Sequence, residues 1–113
     1  MIHVAHKKSK APKERRVCIA KGDRFWGGPR AKLFAPSNIK DVPGWQDAYR
    51  RDLDSRFPDA DSLRSYLQEI ENATPDPILY CFEEDPKDCH RSVLAIYIKE
   101  RLGIEIVEWT EGA

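Results

Sequence analysis

The sequence predicts an α/β fold: a small, mainly parallel sheet of three to four strands with helices packed on it, forming a single domain over residues 1–113. Three observations carry this. The run Ile78, Leu79, Tyr80, Cys81, Phe82 is continuously apolar, as befits a strand buried on both faces. A helical pattern follows up to Leu102, with Gly103 where helices end, and a second apolar run then covers residues 104–109. Strand, helix and strand in that order make a βαβ unit, so the two strands run parallel with a right-handed crossover. A chain of 113 residues supports one core and is too short for two.

The remaining elements follow in chain order. Ile2, His3, Val4 and Ala5 offer a short edge strand. Residues 6–15 are basic, lack apolar periodicity and contain Pro12, so they read as a mobile loop. Arg16, Val17, Cys18, Ile19 and Ala20 make a short apolar run suited to a central strand. Residues 21–40 form a long loop broken by Gly22, Gly27, Gly28, Pro29 and Pro36, and loops of that length are usually functional. Trp45, Ala48, Tyr49 and Leu53 then recur at helical spacing until Pro58 ends the pattern near Phe57. A second helix, capped by Asp59 or Asp61, carries the stripe Leu63, Tyr66, Leu67, Ile70. Residues 71–77 make a turn, with Pro75 and Pro77 blocking helix continuation. The third helix opens at Asp88 or Cys89 and turns Val93, Leu94, Ile96, Tyr97 and Leu102 to the core. There is no internal repeat and no low-complexity tract.

Charge is balanced overall but unevenly placed. Residues 1–40 hold 11 Lys and Arg against Glu14 and Asp23; residues 41–113 hold 8 against 17 Asp and Glu. The first third therefore either meets an anionic partner or is neutralised by the rest of the fold. Three cysteines are too few for a disulfide framework, and Cys18 and Cys81 lie in apolar runs where a reduced thiol behaves as a small hydrophobe. The odd count favours a reducing compartment, and no apolar run reaches membrane-spanning length, so a cytoplasmic protein without a membrane partner is expected.

Chemistry concentrates where the third helix begins. A helix N-terminus presents unpaired N–H groups and a partial positive charge. Cys89, His90, Arg91 and Ser92 add a thiol, an imidazole, a guanidinium and a hydroxyl to that first turn. A cation there opposes the macrodipole, so Arg91 needs an anion: a bound phosphate or carboxylate, or an ion pair with Glu83, Glu84, Asp85 or Asp88. His90 is the candidate for acid/base chemistry because imidazole titrates near neutral pH. Adjacent helical residues point about 100° apart, which separates Cys89 from His90 and weakens a nucleophile-and-base reading. A phosphatase loop fails on spacing, since Cys81 and Arg91 are ten positions apart and Cys89 and Arg91 two. Cys81, Cys89 and His90, with His3, His6 or Cys18 brought in by folding, show neither the CxxC nor the HxxxH pairing that marks a zinc site, and no cofactor is expected.

The 21–40 loop supplies a second candidate. Arg24 and Arg30 stand beside Trp26, with Lys21, Lys32 and Phe25 nearby. Basic residues interleaved with aromatics suit stacking on a base while holding a phosphate, and equally the aromatics can pin a long loop to the core.

These segments resemble the family known as domain of unknown function 488. The resemblance rests on Cys81, Glu83 or Glu84, and Cys89-His90-Arg91, on Arg24-Phe25-Trp26, and on Ala35-Pro36-Ser37, and it spans about residues 2–109. It implies a compact α/β fold with a pocket joining the tryptophan loop to the Cys-His-Arg turn. The family has no assigned activity, so no substrate is implied.

The expected function is binding of a phosphate-bearing ligand, a nucleotide or nucleic-acid end. Arg91, Ser92 and Cys89 would stand on one side and Arg24, Trp26 and Arg30 on the other, with His90 placed for acid/base chemistry if the protein is an enzyme. Two alternatives stand beside it: a non-catalytic nucleic-acid binder using Lys7, Lys8 and Arg15, and a regulator or inhibitor that docks a protein partner. The sequence leaves the oligomeric state open.

Overall fold

A computed structural model of the chain describes residues 2–6, 9–20, 26–37, 43–81 and 90–110. Four strands form one parallel sheet: β1 (His3–His6), β2 (Arg16–Cys18), β3 (Ile78–Cys81) and β4 (Val107–Glu108). Their order is β2-β3-β1-β4. Three helices complete the fold: α1 (Trp45–Arg56), α2 (Ala60–Ala73) and α3 (His90–Leu102). The predicted α/β class and parallel sheet are thus present, and β3, α3 and β4 form the expected parallel strand–helix–strand unit. Between β3 and β4, however, lies β1, which pairs with both.

Two strands exchange their expected places. The N-terminal strand, read as an edge, is central, and the apolar run beginning at Arg16, read as central, is the edge strand. The reason is visible beside β2. Cys18 donates its N–H to Pro29 O at 3.0 Å and Ala31 donates to Cys18 O at 2.9 Å, so residues 29–31 cover the edge. An edge strand paired in this way, and packed on both faces, has the apolar composition of an interior one.

Pleating sorts the strand residues onto two faces. Val4, Val17, Ile19, Leu79 and Cys81 join the main core with the helical residues Tyr49, Leu53, Leu63, Leu67, Leu94, Tyr97 and Ile98. The opposite face carries Ala5 and Ile78, packed against Ala11 and Trp109, and Cys18, Ala20 and Tyr80, packed against Trp26. One face is therefore covered by helices, the other by the crossing segment around Ala11 and by two tryptophans.

Helix boundaries have local causes. Gly44, at φ 78°, occupies the left-handed region before α1 and offers no side-chain cap. Asp59 caps α2 in a reciprocal capping box with Ser62. Gly103, at φ 69°, follows the last residue of α3 and donates its N–H to Lys99 O. Along α3 the buried side chains are His90, Arg91, Leu94, Tyr97 and Ile98, while Ile96 is 54% exposed, correcting its expected core position. Spacing of three and four from Leu94 reaches Tyr97 and Ile98 but carries Ile96 to the opposite side.

Cys81 is also corrected: it is disulfide-bonded, whereas Cys18 is a free buried thiol. Among the described residues no helix is long and apolar enough to cross a membrane.

Candidate functional site

In a parallel sheet all carboxyl ends lie on one edge, and ligands of open α/β folds bind there. This chain brings three pieces to that edge: the end of β2 at Cys18 and Ala20, the start of α3 at His90, and the segment 26–37.

His90 is 2% exposed, and its Nε2 lies 2.7 Å from Ile19 O. A carbonyl can only accept, so Nε2 carries the proton. The ring also meets Tyr49 edge to face at 5.5 Å. His90 thereby fastens the start of α3 to the end of β2. Tyr49 is wholly buried and donates its hydroxyl to Phe34 O at 2.6 Å, tying α1 to the same edge. Burial raises the Tyr49 pKa far above its ordinary value, so it remains a neutral donor.

Arg91 is 0% exposed. Its Nε donates to Glu108 on β4, and its Nη1 lies 3.2 Å from Cys81 Sγ. Among the described residues, Glu108 of the last strand is a carboxylate that answers the cation; the acidic residues 83–88 lie outside the described residues. Ser92 is half-buried on the next position of α3. Cys89 and Arg24, like Lys7 and Lys8, lie outside the described residues.

Trp26 is engaged within the fold. Its Nε1 donates to Pro29 O at 2.8 Å, and its ring meets Tyr80 edge to face at 5.4 Å. A Cβ on Gly28 would stand 2.5 Å from Trp26 Cζ2, so Gly28 lies directly against the indole. Arg30 donates from Nη2 to Trp26 O at 2.8 Å and approaches Cys18 Sγ at 3.9 Å through Nη1. Arg15, expected on a nucleic-acid surface, donates from Nε to Asp76 O at 2.8 Å.

Beside these residues opens a cleft of about 420 Å³, lined by Cys18, Ala20, Arg30, Ala31, Lys32, Ala35, Pro36, Ser37 and Arg56. Of the sequence-predicted site residues Arg30 lines it and is bonded to Trp26 O; His90 and Arg91 are not among its lining residues. Arg56 is the residue that sequence reasoning missed. Its Nη1 donates to Leu33 O at 3.1 Å and Ala35 O at 2.6 Å, and its Nη2 reaches Ser37 Oγ at 3.4 Å. In the sequence it is an arginine in the last turn of a helix, where the macrodipole alone explains a cation. Among the described residues no group of three or more His, Cys, Asp or Glu side chains is placed to hold a metal ion.

Fold and cleft first define a class: a two-layer α/β domain with helices on one face of a parallel sheet and a basic cleft at its carboxyl edge. Residues 27–98 match the family described as Domain of unknown function DUF488, and the chain belongs to that family. The matched span takes in Ala35-Pro36-Ser37 and Cys89-His90-Arg91 and leaves Arg24 and Trp26 outside. No curated protein and no solved structure matches the chain.

Proposed function

We propose that the protein binds a phosphate-bearing ligand in the cleft at the carboxyl edge of the sheet, beside the Cys-His-Arg turn. The observation that carries this is the lining: among the described residues it gathers Arg30, Lys32 and Arg56 with the hydroxyl of Ser37. Cations gathered around a concave wall focus a positive potential into it. Arg56 adds preorganisation. Three of its five N–H donors are occupied by Leu33 O, Ala35 O and Ser37 Oγ, leaving Nε and one Nη2 hydrogen for an anion.

His90 and Arg91 belong to the architecture in this reading. The ring of His90 is buried with Nε2 donating to Ile19 O, and Arg91 is paired with Glu108. The proposal is accordingly binding, with no catalytic step assigned. A cytoplasmic setting stays part of the proposal: the free thiol of Cys18 favours it, and the disulfide-bonded Cys81 weighs against it.

Lys32 gives a clean test, because it is exposed on the cleft wall and its ammonium makes no bond within the described fold. Calorimetric titration with inorganic pyrophosphate should show affinity that falls with salt and weakens roughly tenfold in Lys32→Glu, with the circular dichroism unchanged. Binding indifferent to both salt and the substitution would sink the proposal.

A further inference from the structure

The cleft also carries information about the shape of its ligand, and the inference deepens the proposal above and rests on it. We infer that the ligand is a compact phosphomonoester with a flat, uncharged body, a nucleoside 5′-monophosphate in chemical type, and not a length of nucleic acid.

The first argument is the division of the lining into two parts. Arg30, Lys32, Arg56 and Ser37 supply charge and donors. Ala20, Ala31, Ala35 and Pro36 supply the small apolar side chains of the described lining, its floor. A lone inorganic anion would leave that floor wetted and unused, whereas a planar heterocycle or sugar covers it and gains from removing its apolar surface from water. The volume of about 420 Å³ falls within the range of small-molecule pockets.

The second argument concerns where the other cations point. A polynucleotide presents a phosphate at every nucleotide and needs cations along a continuous track. Arg15 and Arg16 lie at the amino end of β2, opposite the edge where Cys18 and Ala20 line the cleft. They are engaged there: Arg15 Nε donates to Asp76 O, and Arg16 donates to Ala11 O at 3.0 Å and to Ser9 O at 2.6 Å. These two arginines close the crossing segment onto the sheet and do not extend the cleft. Among the described residues, Arg30, Lys32 and Arg56 meet at one concave spot, of the size that a single nucleotide fills.

Four probes titrated into the full chain separate the outcomes: adenosine 5′-monophosphate, adenosine, inorganic phosphate, and a single-stranded decanucleotide with a 5′-hydroxyl. The expected result is that the monophosphate binds at least roughly tenfold more tightly than adenosine or phosphate alone, with the decanucleotide not binding at about 150 mM salt. Phosphate binding as tightly as the monophosphate overturns this inference while leaving the anion cleft standing. A decanucleotide that binds more tightly than the monophosphate overturns it in favour of a polymer. If neither phosphate nor the monophosphate binds, the cleft proposal fails together with the inference.

Discussion

Arg91, expected as a ligand grip, is fully buried and ion-paired within the fold. Fully buried arginines are rare unless paired, and the pair here crosses from α3 to Glu108 of β4. The oddity was legible in the sequence, since a cation in the first turn of a helix opposes the macrodipole. The partner was not, because Glu108 approaches only once β4 lies beside β1 and turns its even-numbered side chains toward the helices. Removing one member of such a pair leaves an uncompensated charge. Because the Glu108 side chain is 37% exposed, Glu108→Gln should cost less than a fully buried pair, about 2 kcal/mol in urea unfolding. An unchanged unfolding midpoint would show that the pair contributes nothing to the fold. Trp26 teaches the same lesson in milder form: a tryptophan among arginines suits base stacking, yet its ring is occupied by Tyr80 and Gly28.

At the scale of elements, the helices were the most legible part. Their stripes, the Asp59 cap and the Gly103 stop needed only local rules; α1 stands within a residue of its expected ends, and α2 runs on to Ala73, three residues into the segment read as a turn. Strand placement was harder, because an apolar run reports burial and not position in a sheet. Residues 29–31 cover the outer edge of β2 and so give it an interior strand's composition, and their pairing with Cys18 is a long-range contact without a local signature. Gly28 holds this covering segment in place. In Gly28→Ala the new methyl meets the Trp26 ring, so the indole must move or the segment must lift from β2. Stability should fall by about 1–3 kcal/mol, and the Trp26 indole N–H resonance should shift as its bond to Pro29 O is lost. An unshifted resonance at wild-type stability would mean that the segment is not held by this contact.

Over the whole molecule, the sheet has two unlike faces. Helices bury one, and the crossing segment with Trp26 and Trp109 closes the other. The α/β class and the parallel sheet followed from the strand–helix–strand pattern; the cleft did not. Its wall joins Cys18, Arg30, Ser37 and Arg56, which share no sequence spacing and meet only because α1 returns Arg56 to the 33–37 segment. Of the basic surplus in residues 1–40, Arg30 and Lys32 line the cleft, while Arg15 and Arg16 lie at the amino edge of the sheet.

The central claim is that an anion sits in this cleft and not in the Cys-His-Arg turn, and backbone amide and arginine Nε resonances followed during titration with inorganic pyrophosphate test it most directly. Shifts should concentrate at Ala20, Lys32 and Ser37 and at the Nε of Arg30 and Arg56, the groups that line the cleft. Shifts centred instead on Ser92 and the Nε of Arg91, with the cleft silent, would contradict it.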